Sequence, residues 1–158
     1  MMLSNQWVVH MRWVMLDELD ELREAIKSGD YSQALALIDE LDEMSRDDKI
    51  NKIGSYMRVL LIHLIKQTAE QRSTRSWEVS INAALRQIAR TNKRRKSGGY
   101  YLDEDSLADA LAEVWPDALE WAAMEAFEGV YSIEELSEMV DRPSILADAL
   151  DRIRETAR

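Results

Sequence analysis

The sequence predicts an all-α protein: a single domain, residues 1–158, folded as a bundle of about five to seven helices. Three observations predict this class. The 158 residues include only five Gly and two Pro, the two residue types that most disfavour helices. Apolar residues recur at spacings of three and four, which is the period of one helix face. Gly, Pro and capping residues stand between these periodic segments, where helices begin and end.

Two helices are expected in the first third of the chain. The first spans about 6–27 and ends at Ser28-Gly29, since Gly is the usual residue just past a helix end. Its predicted apolar face is Leu19, Leu22 and Ile26. Asp30 can cap the next helix, because its carboxylate can accept from the free backbone N–H groups of a first turn. The predicted apolar face of this second helix is Ala34, Leu35, Ile38 and Leu41.

The third helix is predicted over about 46–69, as the central helix of the bundle. Ser45–Asp48 resembles a capping box with Asp in place of the usual Glu, which predicts a helix start at this point. Val59 and Ile62 are apolar on the side opposite the core face, so we expect this helix to be buried on nearly all sides. The predicted core face is Ile50, Ile53, Met57, Leu60, Leu61 and Leu64.

The remaining helices follow from caps and breakers. The fourth is expected from a cap at Ser73 to about Lys96, before Gly98-Gly99. The fifth, about 103–127, contains Pro116, which either kinks it or occupies the first turn of a new helix. Ser132–Glu135 is a full capping box for a short helix, and Pro143 starts the terminal one. The predicted domain therefore comprises an N-terminal hydrophobic helix (1–28), a helical core (30–127) and C-terminal short helices (130–158).

Composition excludes several kinds of site. The absence of Cys excludes disulfides, thiolate zinc sites, iron–sulfur clusters and cysteine nucleophiles. Neither His follows a Glu by three positions, as dinuclear metal bundles require, and the acidic clusters lack calcium-loop spacing. We therefore expect no metal and no cofactor.

The longest apolar run, Val59–Ile65, is far shorter than the ~20 residues of a membrane helix, and the N-terminus lacks signal-peptide features, so we expect a cytoplasmic protein without membrane contact.

Charge is segregated along the chain. The net charge of −10 combines −5 in residues 1–70, +7 in residues 71–96 and −12 in residues 97–158. The negative net charge of the whole chain argues against a general nucleic-acid binder, because contacts with phosphates dominate the affinity of such proteins. The central cations favour either an anionic partner, such as nucleic acid, or neutralisation of the acidic C-terminal third. These cations, which we call the basic helix end, are Arg86, Arg90, Lys93, Arg94, Arg95 and Lys96.

One stretch carries a family resemblance. Leu60–Lys66, followed by Arg72–Trp77 and then Ile81, Arg86 and Ile88, resembles the bacterial, cyanobacteria-rich domain-of-unknown-function family twenty-nine (DUF29). That family has a Leu-Leu-x-His-Leu-Leu-Lys core and then an arginine and a Ser-Trp step in the same order. Tyr101-Leu102 and Trp115–Ala118 look like its final helix region. The resemblance covers roughly residues 25–127 and implies a small helical protein, but no chemistry, because the family has no established activity.

Arg58 and His63 are the candidate catalytic residues. They fit the Arg-x4-His pattern of helical ribonucleases of the HEPN type, in which Arg steadies the scissile phosphate and His transfers a proton. Val59, however, stands where that pattern has a polar residue, and five residues turn a helix by about 140°, so the two side chains diverge. We favour a His at the edge of a buried helix, hydrogen-bonded to a neighbour, and a protein that is not an enzyme.

Aromatic residues suggest two further surfaces. Trp77 with Arg72 and Arg75 could stack on nucleotides, but Ile81 and Leu85 follow it at helical spacing, which favours a core position. The hydrophobic N-terminus predicts an apolar docking face for a protein partner or a second copy of the chain. That face would consist of Trp7, Met11, Trp13 and Met15.

The leading prediction is a non-enzymatic interaction or oligomerisation module; the alternatives are the ribonuclease and a nucleic-acid contact through the basic helix end.

Overall fold

The computed structural model describes the backbone of residues 3–94 and 98–158 and the side chains of residues 16–94 and 98–158. Within those residues the secondary structure consists of helices, with no strand, which confirms the predicted all-α bundle. A short 3₁₀ helix (Ala126–Gly129) accompanies six α-helices. These are α1 (Leu3–Ser28), α2 (Tyr31–Glu70), α3 (Arg75–Asn92), α4 (Glu104–Glu125), α5 (Ile133–Met139) and α6 (Arg142–Thr156).

Contacts group the chain into two compact units, which we call the hairpin unit (Met1–Asp48) and the core unit (Lys49–Arg158). Helix α2 is continuous across the boundary between them. The prediction of a single domain over residues 1–158 stays a prediction. No helix in the described part of the chain is both long enough and apolar enough to span a bilayer.

Helix α2 is one element of 40 residues, where the sequence predicted two. The predicted helix start at Ser45–Asp48 is wrong, because these residues lie inside the continuous helix. Their backbone N–H groups are directed at the preceding turn, so no free donors remain for a capping side chain. Neither Gly nor Pro occurs between Tyr31 and Ile53, and a short run of polar residues alone does not end a helix.

The hairpin unit consists of α1 and the beginning of α2. Gly29 makes the connection with φ 77°, a conformation that costs Gly little, and the Asp30 carboxylate accepts from Gln33 N at 3.2 Å, as its predicted capping role requires. The core formed by the described side chains of this unit, residues 16–48, is small. It comprises the buried Ala25, Ala34 and Leu37, with Leu22 packed against them.

The predicted apolar faces of these two helices are only partly buried. On α2, Leu37 takes the core position, while Leu35 and Ile38 are 63% and 46% exposed. On α1, Leu19 and Ile26 are likewise exposed. The predicted faces were wrong at these four positions, because within this unit each helix packs against one other helix and that neighbour covers only part of a wide apolar arc.

The core unit is built around the second half of α2, as the predicted central helix requires. Ile53, Met57, Leu60, Leu61 and Ile65 are fully buried. Against them pack α3, α4 and α6 and the short α5. Other buried positions include Ile81 and Ile88 of α3, Leu111, Trp115 and Ala118 of α4, Leu136 of α5, and Ile145, Ala149 and Ile153 of α6.

Several predicted helix ends are confirmed, and both ends of the fourth predicted helix are shifted. Pro116 lies inside α4 and does not begin a new helix. Helix α3 ends at Asn92 instead of near Lys96, and its cap is Thr74, whose side chain accepts from Trp77 N, instead of Ser73. The capping box at Ser132 and Glu135 is present, and Pro143 lies in the first turn of α6.

Candidate functional site

Two residues of the family resemblance, Lys66 and Arg72, lie over the ring of Trp77, which is part of the same resemblance. His63 and Lys66 lie one turn apart on α2, Arg72 lies in the following loop, and Trp77 lies in the first turn of α3. The Lys66 Nζ is 4.6 Å from the centroid of the buried Trp77 ring, and the Arg72 Cζ is 4.8 Å from it. A cation over an indole ring is attracted by the negative face of the π-system. We call His63, Lys66, Arg72, Trp77 and Glu125 the Trp77 cluster.

Lys66 is the buried charge of this cluster. The residue is only 6% exposed, and its Nζ donates to Glu125 Oε2 on α4 at 2.8 Å. A buried ammonium group requires such a partner, because leaving it without one would forfeit its hydration. The contacts of Lys66 therefore link α2 with both α3 and α4.

A second polar network surrounds the start of α3. Gln67 Nε2 donates to Ser73 Oγ at 2.7 Å and to Glu78 Oε1 at 3.1 Å. Ser73 Oγ in turn donates to Glu78 Oε1 at 2.7 Å. Ser73 is therefore occupied by side-chain contacts, which leaves Thr74 to cap the helix. These bonds fix the loop that contains Arg72 of the Trp77 cluster.

His63 is half-buried beside Lys66. Burial, and next the positive charge of Lys66, lower the pKa of His63, while Glu125 acts in the opposite direction. The Nδ1 atom is buried and has no hydrogen-bond partner among the described residues, so the predicted bond to a neighbour is not made through this nitrogen. A lowered pKa favours the neutral imidazole at neutral pH.

Arg58 lies in a different environment. Its Nη1 is 3.7 Å from Asp117 Oδ2 on α4, and both residues line a groove of about 470 Å³ between α2 and α4, together with Gly54, Ser55 and Glu113. His63 is not among the residues that line this groove. The described contacts thus give Arg58 and His63 separate partners, and the ribonuclease site stays a prediction.

The basic helix end is described in part. Arg86, Arg90 and Lys93 are exposed, and within the described residues none of the three pairs with a carboxylate. The Arg94 Cζ is 5.4 Å from the centroid of the Tyr101 ring. Arg95 and Lys96 lie outside the described residues.

Asn92 closes the loop after α3, a role that no sequence signal indicated. Its Nδ2 donates to Leu102 O at 3.0 Å and its Oδ1 accepts from Leu102 N at 2.8 Å, both in a buried setting. Asn92 and Leu102 also line a cavity of about 240 Å³, together with Leu107, Leu150 and Ile153. Because both backbone groups of Leu102 are satisfied by one side chain, the amide of Asn92 anchors the loop directly before Asp103, the N-cap of α4.

The predicted docking residues of the N-terminus, Trp7, Met11, Trp13 and Met15, belong to α1, but their side chains lie outside the described residues. Further along the same unit, several large apolar side chains are exposed to solvent. They are Leu16, Leu19, Ile26, Tyr31, Leu35 and Ile38. In the described part of the chain, no group of three or more His, Asp or Glu side chains is placed to hold a metal ion.

Comparison with known proteins gives one result. A family model described as "Domain of unknown function DUF29" matches residues 17–142. The matched segment includes the whole Trp77 cluster and extends beyond the predicted range of 25–127 at both ends, which confirms the resemblance. No curated protein and no solved structure matches the chain.

Proposed function

We propose that this chain, which belongs to the DUF29 family, is a non-enzymatic interaction module whose hairpin unit pairs with a second copy of itself. One observation carries the proposal: within residues 16–48, the part of the hairpin unit whose side chains the structure describes, more large apolar side chains are exposed than buried. The exposed residues of interest are Leu19, Ile26, Tyr31, Leu35 and Ile38. We call this set the hairpin face.

The hairpin face is continuous because of how α1 and α2 are paired. Leu22 with Leu37 and Ala25 with Ala34 lie at equal distances from the turn, so the two helices run antiparallel. At 100° per residue, the exposed positions of each helix lie roughly 70–130° from the middle of its buried face, displaced in the same rotational sense. When two antiparallel helices face one another, positions displaced from the two buried faces in the same rotational sense, each viewed along its own helix, lie on the same side of the pair. The exposed apolar residues of both helices therefore share one side of the hairpin.

A second copy is the simplest occupant of such a face. In residues 16–48, whose side chains the structure describes, two alanines and two leucines lie between the helices, and an isolated helix pair with so little buried apolar surface is marginal in water. Two hairpins that pair about a two-fold axis form a four-helix bundle, in which every apolar stripe faces another. The predicted N-terminal docking residues lie on the same helix α1 and would lengthen this contact.

Charge gives the proposed pairing a distinctive salt dependence. Residues 1–48 hold 12 Asp or Glu and 4 Lys or Arg, so two copies of the hairpin unit repel one another. Salt screens that repulsion, since the Debye length falls from about 30 Å at 0.01 M to about 10 Å at 0.1 M. Self-association should therefore tighten as salt is added, whereas binding to a basic partner should weaken.

The test is the mass of the full chain in solution, measured by sedimentation equilibrium at 50 and 300 mM NaCl. We expect a dimer whose dissociation constant falls with salt. The double variant Ile26→Ser and Ile38→Ser removes apolar surface from both helices of the hairpin face and should weaken the dimer at least tenfold, as loss of interface anchors does.

The matched control is Val79→Ser with Val130→Ser, which removes two exposed apolar side chains from the core unit. It should leave the dimer unchanged. A wild type that remains monomeric at about 100 µM would contradict the proposal, as would equal weakening by both double variants.

A second candidate function is a nucleic-acid contact through the basic helix end. It is supported by the exposure of Arg86, Arg90 and Lys93, whose side chains meet no carboxylate among the described residues. If all six cations of the basic helix end contacted phosphates, affinity for duplex DNA would fall roughly a thousandfold between 50 and 200 mM salt. The variant with Lys93→Ser, Arg94→Ser, Arg95→Ser and Lys96→Ser should flatten this dependence. A wild type that binds neither DNA nor RNA at 50 mM salt would exclude this candidate.

A further inference from the structure

The outer side of α4 carries two large apolar residues among carboxylates. Trp121 and Met124 are 45% and 64% exposed, although they lie one turn apart on a helix whose other side is fully buried. Glu113, Asp117 and Glu120 are exposed as well. These five positions follow one another at i, i+4, i+7, i+8 and i+11, which places them within an arc of about 100°. We call them the α4 face.

The stretch of sequence that contains the α4 face is acidic. From residue 97 to residue 141 the sequence holds 13 Asp or Glu and neither Lys nor Arg. Among the described residues, Arg58 of α2 pairs with a carboxylate of the face, with its Nη1 3.7 Å from Asp117 Oδ2. Such a surface repels phosphates and acidic proteins and attracts cationic partners.

Trp121 and Met124 make the α4 face partly apolar, so an occupant that matches it needs an apolar side as well. Trp supplies a large contact area and is enriched among the residues that dominate interface energies. Met is unbranched and polarisable, so it adapts to partners of different shape. Apolar anchors surrounded by charges of one sign suit an amphipathic segment that bears the opposite charge beside its own apolar stripe.

The groove beside α4 adds room for long side chains. Its volume is about 470 Å³, and its walls include Glu113 and Asp117 from the α4 face together with Gly54 and Ser55 of α2. A Lys or Arg of a partner that lies along the α4 face could extend its stem into this groove and meet both carboxylates. Charge and shape thus favour the same occupant.

We propose that the α4 face, with Trp121 and Met124 as anchors, binds a basic amphipathic helix of a partner protein. This surface belongs to the core unit and shares no residue with the hairpin face, so the proposal does not depend on the proposed self-association. The carboxylates Glu113, Asp117 and Glu120 orient the partner through its cations, and the two apolar residues contribute the larger part of the affinity.

The test uses a fluorescent 18-residue helix of Leu and Lys, with all Leu on one side, and the full-length protein. We expect saturable binding by fluorescence anisotropy at 100 mM NaCl, and no binding of the corresponding Leu and Glu peptide. Trp121→Ala with Met124→Ala should weaken binding at least tenfold. Glu113→Gln with Glu120→Gln should weaken it about fivefold, because exposed ion pairs contribute modestly.

The matched control is Glu134→Gln with Glu138→Gln, which removes the same charge from exposed positions of α5 and should leave binding unchanged. Equal weakening by both charge variants would show unspecific attraction to an acidic protein and overturn the proposal. Absence of binding by the Leu and Lys peptide at 100 µM protein would also overturn it, as would full affinity in the Trp121 and Met124 variant. If a second copy of the chain occupied the α4 face, the variant Trp121→Ala with Met124→Ala would lose the dimer. That result would overturn the proposal of a partner helix in favour of self-association.

Discussion

Lys66 of α2 and Glu125 of α4 form a hydrogen-bonded ion pair of 2.8 Å between residues that lie 59 positions apart in the sequence. The lysine side chain is 8% exposed and the glutamate side chain 46% exposed. The same ammonium group lies over the ring of Trp77. The ammonium group of Lys66 thus lies between a carboxylate of α4 and the indole ring of α3.

The two partners of this pair should differ in their effect on stability. Glu125→Gln leaves the ammonium of Lys66 buried without a carboxylate, and we expect it to cost about 1–3 kcal/mol of unfolding free energy. Lys66→Met removes the buried charge together with its need for a partner and should cost less, about 1 kcal/mol. Urea unfolding of the two variants at pH 7 measures the difference. A larger loss in Lys66→Met than in Glu125→Gln would contradict the proposed role of the carboxylate.

His63 should make the protein less stable at mildly acidic pH. Burial and the charge of Lys66 lower the pKa of His63 below its ordinary value of 6.5. The unfolded chain therefore binds a proton at a higher pH than the folded one, and stability is lost as the pH falls from above 6.5 through the lowered pKa. We expect the wild type to lose more unfolding free energy than His63→Gln between pH 7.5 and 5.5.

The comparison isolates His63, because His10 and all carboxylates are present in both proteins. Urea unfolding at the two pH values gives the required free energies. Equal losses in the wild type and in His63→Gln would show that protonation of His63 is not linked to folding.

Asn92 should be required for the position of α4. Asn92→Ala leaves the buried N–H and C=O of Leu102 without partners, and an unsatisfied buried polar group costs about 1–3 kcal/mol. We expect a loss in the upper part of that range, since two groups are affected. The control Asn82→Ala changes an exposed Asn of the same helix and should shift stability by at most about 0.5 kcal/mol. Similar thermal midpoints for the two variants would exclude a structural role of the Asn92 amide.

The second half of α2 should dominate the stability of the core unit. Leu61→Ala and Leu64→Ala each remove a buried side chain and should cost about 2–5 kcal/mol. Val79→Ala, at an exposed position of α3 outside the hairpin face, should cost no more than about 0.5 kcal/mol. Thermal or urea unfolding separates the two groups. Unchanged stability of Leu61→Ala or Leu64→Ala would mean that the central-helix assignment is wrong.

The sequence predicted the fold class and most helix ends, because these depend on local features. Gly29 and the Ser132 capping box act within a few residues of themselves. Ser45–Asp48 shows the limit of such signals. The same residue types that cap a helix start are also tolerated inside a helix, and only the bonding of the preceding turn distinguishes the two cases.

The candidate sites were less predictable. The position of Trp77 in the structure agrees with its helical spacing from Ile81, but nothing in the sequence paired Lys66 with Glu125 or Asn92 with Leu102. These contacts join residues that are distant in the chain or separated by a loop, so their spacing carries no periodic signal. Trp121 and Met124 were also missed, since a helix pattern does not tell which apolar residues a neighbouring helix will cover.

By itself, the sequence determined the all-α class, the helical central segment near Leu61 and the segregation of charge, because hydrophobic period, caps and composition are properties of short windows. Only the tertiary structure decided that α2 is one helix, which parts of the wide apolar arcs at Leu35 and Ile38 remain exposed, and which carboxylate neutralises Lys66. The physical reason is the same in each case. Burial and charge pairing depend on which elements meet in space, and a helix with apolar residues over a wide arc is compatible with several neighbours until packing selects one.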